Sequence, residues 1–311
     1  MGTIYTIKVV TENELPEPVE DLKSAIDAEL LRINKLMSTW DPESELSRFN
    51  AHPSSQPFPV SGETLQVVKA AKDLFVSTQG LYDPTVGPLV DLWGFGPKPR
   101  RTEPPTVAEI EAATSIVGMD WLLIDESSGT LSKSIPELHL DLSSIAKGYG
   151  VDAVCKVLGD RGYQNFMVEI GGEIAVWGLN RNGEPWSLGI DSPNQTPDKR
   201  ELIHTLSLTD AAVATSGDYR NKFEFEGVQY THVLNPKTGW PVPESVKSVT
   251  VIAPSCMRAD GAATAIMVLG ATEGHKWARN QPDLEALILY LGAEGGVQEV
   301  QTTGMREYSR N

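Results

Sequence analysis

Asp260 and Thr264 stand four residues apart in a stretch whose apolar spacing predicts a helix from about 258 to 269. At that spacing both side chains share one helical face. A carboxylate and a hydroxyl are hard oxygen donors, suited to Mg²⁺ or Ca²⁺ and poor for softer metals. Mg²⁺ characteristically takes one or two protein oxygens and completes its octahedron with waters and substrate phosphate. Alone, the pair is better read as an acid favoured by a helix N-terminus with a packed threonine beside it.

A second run, Leu140-Asp141-Leu142-Ser143-Ser144-Ile145-Ala146-Lys147-Gly148-Tyr149-Gly150, sets an acid, two serines and a lysine around a predicted helix start. Helix N-termini attract phosphate, and a nearby ammonium adds charge neutralisation. The P-loop spacing is absent, and a plain capped helix explains the same residues. A third region joins Ala214-Thr215-Ser216-Gly217-Asp218-Tyr219-Arg220 to the run from Tyr230 to Gly239, where Pro236 ends a predicted strand holding His232. Taken singly, His232 reads as a hydrogen-bonded strand histidine and Arg220 as a sheet-edge ion pair. In Glu169-Ile170-Gly171-Gly172-Glu173 the paired glycines either make a turn or let backbone N–H groups approach a ligand. Trp40, Tyr82, Trp93 and Phe95 offer faces on which a flavin or an adenine can stack, although aromatics belong more often to cores.

The elements that must position these groups alternate between helices and short strands. Alternation over residues 4–9 predicts a strand, and Val19, Leu22, Ile26, Ile33 and Leu36 mark one face of a helix over 17–36. Ser61 is placed to cap a helix over 63–78 that stops at Gly80, and Thr106 with Glu109 forms a capping-box pattern. Residues 82–102 are too apolar for a free linker and read as an ordered loop over a core or a ligand. Hairpins are expected over 121–125 with 130–134, 165–170 with 173–178, 222–225 with 228–234, and 286–291 with 297–301. A strand over 138–142 should feed a helix from Ser143 to about Arg161, with the serines as caps. Residues 246–253 form an apolar strand before the helix that carries Asp260. Hairpins mixed with separate helices predict an α+β fold with mainly antiparallel sheets.

The 311 residues suffice for one large domain or two closely packed lobes. A net charge of −16 argues against a nucleic-acid surface, which needs clustered cations. It does not exclude a small diphosphate held by one metal ion and a few local donors. Cys155 and Cys256 are far apart, in no metal-ligand spacing, and read as buried, inert thiols. No apolar run reaches the ~18 residues needed to span a bilayer. Met1-Gly2-Thr3 runs straight into the first strand, so an exported protein would have lost its leader from this sequence.

Together these segments resemble the ApbE family of FAD:protein FMN transferases. The resemblance is carried by Met1-Gly2-Thr3, Met37-Ser38-Thr39-Trp40 with 44–50, 82–89, 92–97, 141–150, 168–173, 214–220, 232–239 and 259–270, in that order over nearly the whole chain. It implies one flavin-transferase domain over 1–311, with FAD between two lobes. It also implies FAD contacts at Met1, Ser38, Thr39, Trp40, Tyr82, Asp83, Asp141, Lys147 and Leu234. Mg²⁺ would be held by Asp260, Thr264, a backbone oxygen near Ala263, and Ser144 through main chain or hydroxyl. The implied reaction moves FMN from FAD to a Thr or Ser hydroxyl of an acceptor flavoprotein subunit of a membrane redox complex, releasing AMP. His232 is the expected base for that hydroxyl, and Asp260 is cast as metal ligand first. Most bacterial members are lipoproteins facing the periplasm, so the resemblance implies a periplasmic, inner-membrane lipoprotein here. Two rival readings are a Mg²⁺-dependent FAD pyrophosphatase and a non-catalytic flavin carrier, and the Asp260/Thr264 pair argues against the carrier.

Overall fold

The apolar run Val246–Ala253 becomes a strand buried on both faces, as a continuous hydrophobic stretch requires. In the computed structural model, which describes residues 2–12, 16–53, 55–97, 101–193, 201–217, 222–243 and 245–310, it lies inside a seven-stranded sheet. In chain order the strands are β1 (Tyr5–Val9), β2 (Phe166–Ile170), β3 (Glu173–Trp177), β4 (Ala211–Gly217), β5 (Val246–Ala253), β6 (Glu285–Leu291) and β7 (Val297–Gln301). They stand side by side in that order and every neighbouring pair is antiparallel. The expected α+β, mainly antiparallel architecture is therefore the observed one.

Four long helices are α1 (Val19–Met37), α2 (Gly62–Ser77), α3 (Ala146–Asp160) and α4 (Cys256–Arg279). On one face of the sheet, α3 covers β2 and β3, while α4 covers β4, β5 and β6. The other face is covered by a three-stranded sheet of Trp186–Asp191, Leu202–Leu208 and Ser309–Arg310. Its Trp186, Leu188, Ile190 and Leu206 pack on Met167, Val176, Val213 and Ile252. A further small sheet of Phe58–Pro59, Thr130–Lys133 and Leu122–Asp125 forms the second lobe with α2. Phe49, Val67, Leu74, Leu131 and Leu140 share one core with Ala259, Ala262 and Ile266 of α4, so the lobes are joined through α4. Among the described residues no helix is long and apolar enough to cross a membrane.

The crossing of α3 and α4 sets the geometry of everything that follows. A Cβ at Gly148 would lie 2.3 Å from the carbonyl oxygen of Cys256, so only glycine allows this approach. The Asp152 carboxylate accepts the N–H groups of Cys256 and Met257 at 2.8 and 2.9 Å, satisfying donors that the start of α4 leaves open.

Several expectations need correction. Residues 138–142 join no ladder, and α3 starts at Ala146 behind Ile145, whose N-cap position makes no side-chain bond. Ser143 and Ser144 thus lie in the turn before the helix, and Ser144 does not cap it. α4 runs on to Arg279, passing a kink where Gly270 takes φ +81°. Strands Trp186–Asp191, Leu202–Leu208 and β4 were not expected. Gly189 and Asp191, poor strand formers, mask the alternation of Trp186, Leu188 and Ile190, and β4 is rich in alanine. Val19 is exposed on α1, and Leu36 only partly buried.

Candidate active site

A cavity of about 670 Å³ opens where the N-terminal end of α3, α4, the ends of β3 to β5 and the segment around Tyr82 meet. Asp260 and Thr264, one turn apart on α4, face it together with Ser144, Lys147 and Asp141 from the start of α3. Tyr82, Asp83, His232 and Leu234 also line it, as do Glu169 and Gly171 to Glu173 from the paired-glycine run.

At its centre two carboxylates share one ammonium. Lys147 Nζ lies 2.5 Å from Glu173 Oε1 and 3.4 Å from Asp260 Oδ1. Asp260 is 2% exposed, and its Oδ2 accepts the Gly148 N–H at 2.9 Å. Burial pushes the Asp260 carboxyl up against the attraction of Lys147, and burial with the Asp260 charge pushes Glu173 up to about 7. Burial opposes the Lys147 ammonium, but the two carboxylates hold it above the usual lysine range. Glu173 Oε2 is buried with no hydrogen-bond partner among the described residues.

A buried cluster with one more anion than cation favours a further cation. The available donors are hard oxygens: the Asp260 carboxylate, Thr264 Oγ1 at 3.4 Å from Ser216 Oγ, and Ser144 Oγ at 2.9 Å from Tyr82 Oη. Among the described residues no three His, Cys, Asp or Glu side chains group together as a metal site. An ion here must therefore be completed by hydroxyl, main-chain and ligand oxygens, which suits Mg²⁺ and not zinc. Ala263 is fully buried in the core and is not among the residues lining the cavity.

Asp141 and Asp83 are held by neighbouring backbone. The Asp141 N–H donates to the Pro84 carbonyl at 2.7 Å, and its carboxylate accepts the Ser143 N–H at 2.8 Å. Asp83 accepts from the N–H and hydroxyl of Thr85 at 2.8 and 2.6 Å. Burial outweighs those bonds and raises Asp83 from 3.8 to about 6. The folded state thus binds this proton more tightly than the unfolded chain does. Its stability contribution is full below about pH 4 and is lost as pH rises through about 6, by up to about 3 kcal/mol. Asp83→Asn should therefore gain stability over wild type between about pH 4 and pH 7 in urea titrations. An offset that is the same at both pH values would contradict this assignment.

His232 follows the strand Val228–Thr231, one residue beyond the ladder instead of inside it as expected. That strand pairs with Lys222–Phe225 through Glu226 and Gly227, both at positive φ, which gives the tight turn its hand. After His232 the chain reverses. Asn235 Oδ1 accepts the Lys237 N–H at 2.9 Å, and Val242 N–H returns to the Val233 carbonyl at 2.9 Å. Gly239, at φ +74°, passes so close to Thr114 and Ile110 that no Cβ fits. The Phe95 ring meets His232 edge-on at 6.3 Å.

Other expected contacts lie elsewhere. Ser38 ends α1, its carbonyl accepting the Ser44 and Ser47 hydroxyls at 2.5 and 3.0 Å; Trp40 is 68% exposed, and neither these two nor Thr39 lines the cavity. Trp93 is wholly buried and donates its Nε1–H to the Gly239 carbonyl at 2.8 Å, so it is core and offers no face to a ligand. Met1 and the segment holding Arg220 lie outside the described residues. Cys155 and Cys256 are free; Cys256 is buried as expected, Cys155 only partly so, and burial pushes the Cys155 thiol up to about 12. Sequence reasoning singled out the runs holding Glu173, Thr215 and Ser216 without giving those residues a contact, and it missed Ser248 and Thr250 on the wall. Small polar residues recurring inside the buried strands β4 and β5 were the signal available, and Thr215 and Thr250 hydrogen bond at 3.0 Å.

The profile of the ApbE family matches residues 1–288. An FAD:protein FMN transferase of Vibrio cholerae serotype O1 is 50% identical over 308 residues, covering 99% of this chain and 90% of that protein. Another, from Haemophilus influenzae, is 41% identical over 273 residues, covering 87% and 79%. The solved flavin transferase ApbE from Vibrio cholerae matches with a TM-score of 0.91 at 44% identity, over 99% of this chain and 96% of that one. The apo form of Pseudomonas stutzeri flavinyl transferase ApbE matches at 0.87 and 36% identity, over 98% and 92%.

Proposed function

This chain belongs to the ApbE family, and from that premise we propose that it transfers the FMN half of FAD to a Thr or Ser hydroxyl of an acceptor flavoprotein, in a Mg²⁺-dependent reaction that releases AMP. The relatives named as FAD:protein FMN transferases support the reaction class. The observation that carries the finer reading is the meeting of Asp260 and Thr264 with Ser144 and Lys147 on one cavity wall.

In the proposed mechanism the acceptor hydroxyl attacks the FMN phosphorus in line with the bond to the AMP oxygen. The new P–O bond forms as the old one breaks, AMP leaves with its phosphate oxygen, and the hydroxyl proton passes to His232. Lys147, on the cavity wall at the start of α3, would hold the charge of the diphosphate. Asp260, Thr264, Ser144 and the Ala263 main-chain oxygen would hold Mg²⁺, which supplies charge neutralisation on the phosphoryl oxygens when bound. The cavity walls orient the flavin nucleotide and limit the access of water to the phosphorus. By family analogy alone, we assign the acceptors to membrane redox complexes and the full-length protein to the periplasm as an inner-membrane lipoprotein.

Incubating the chain with FAD, Mg²⁺ and a threonine-bearing acceptor fragment should add one FMN to the fragment by mass spectrometry. Free FMN and AMP appearing at full rate without acceptor would favour the pyrophosphatase reading. FAD left intact throughout would leave only a carrier.

A further inference from the structure

Glu173 opens β3 directly after Gly171 and Gly172, which take φ +66° and +110° and turn the chain back from β2. Its backbone is fixed by pairing with Ile170 across that hairpin, so its carboxylate is presented from a rigid strand end. It is 4% exposed and lies on the cavity wall. One oxygen holds Lys147 at 2.5 Å, while the other has no partner among the described residues. Half-satisfied buried carboxylates are unfavourable and rare, so this one calls for an explanation beyond packing. The partnered oxygen holds Lys147 unevenly between two carboxylates. The ammonium sits on Glu173 at 2.5 Å and only grazes Asp260 at 3.4 Å. Without Glu173, the nearest anion for that ammonium is Asp260, the principal carboxylate proposed for the divalent cation.

We propose that Glu173 is a positioning residue. It draws the Lys147 ammonium away from Asp260, keeping that carboxylate open to the metal and aiming Lys147 at the diphosphate. The inference rests on the metal and FAD reading given above. It assigns Glu173 an action exerted through Lys147 and no contact with the reacting atoms.

The test is a cycle of Glu173→Gln, Lys147→Met and the double variant in the full chain, read by Mn²⁺ binding in electron paramagnetic resonance titrations. Groups that share one network couple strongly enough for Glu173→Gln to weaken Mn²⁺ binding about tenfold. Lys147→Met, lacking the competing ammonium, should bind Mn²⁺ at least as tightly as wild type, and the double variant should match it. The half-maximal Mg²⁺ concentration for FMN transfer should rise in parallel for Glu173→Gln. An equal weakening by Glu173→Gln with Lys147 present or replaced would mean plain electrostatics and overturn the proposal. So would wild-type Mn²⁺ binding in Glu173→Gln. Should that variant melt early, Glu173→Asp decides: its shorter carboxylate should weaken Mn²⁺ binding by an intermediate factor, and unchanged binding would overturn the proposal. Wild-type chain that binds Mn²⁺ but transfers no FMN would refute the proposed reaction and leave the metal-binding cycle to decide this inference.

Discussion

Asp260→Asn should lower FMN transfer by about 10³-fold or more, because charge stabilisation by a bound metal is worth several kcal/mol in the transition state. The substitution is nearly isosteric, and an amide oxygen can still accept the Gly148 N–H that Oδ2 accepts now at 2.9 Å. It also leaves Lys147 paired with Glu173, so no ammonium is stranded in the core. A buried cluster with an excess anion becomes a neutral pair, and thermal melting should show no loss of stability. The expected pattern is therefore a folded protein that has lost Mg²⁺ binding and turnover together. Calorimetric Mg²⁺ titration beside the mass-spectrometric transfer assay measures both. Transfer within tenfold of wild type would remove Asp260 from the chemistry.

His232→Ala should have the second largest effect, a loss of ~10²–10⁴ in the rate of transfer to protein. Its signature differs from that of Asp260→Asn. The imidazole stands beyond the ladder, on a wall shared with Leu234 and Val233, and meets Phe95 edge-on. FAD and Mg²⁺ binding should change by less than a few-fold, while the acid limb of the pH–rate profile disappears along with the base. Normal rates across pH would move the role of base to another group. Because the hairpin is built by the Glu226-Gly227 turn and the Asn235 reversal, removing the side chain should leave the loop in place.

What was legible in the sequence was local. The capping box at Thr106 and Glu109 and the Ser61 cap appear in the structure as expected, since each involves groups three residues apart. The hairpins were readable for the same reason, and β5 was found to the residue because a strand buried on both faces is a continuous apolar run. The shared helical face of Asp260 and Thr264 follows from backbone periodicity alone. The misplaced start of α3 has a cause that is only partly local: Ser143 and Ser144 look like caps, but Ser143 donates its N–H to Asp141 and Ser144 turns its hydroxyl to Tyr82, 62 residues away.

The chain alone thus determined which atoms can serve as donors and which face of each element is apolar. Periodicity says that a face is buried but not what covers it, so the partners had to come from tertiary packing. Only the close crossing at Gly148 brings the start of α3 against α4, placing Lys147 beside Asp260 across 113 residues of sequence. Only the order of strands in the sheet puts the first residue of β3 beneath the same ammonium. Those long-range contacts are decided by how whole surfaces fit and exclude water, a property no short window of residues contains.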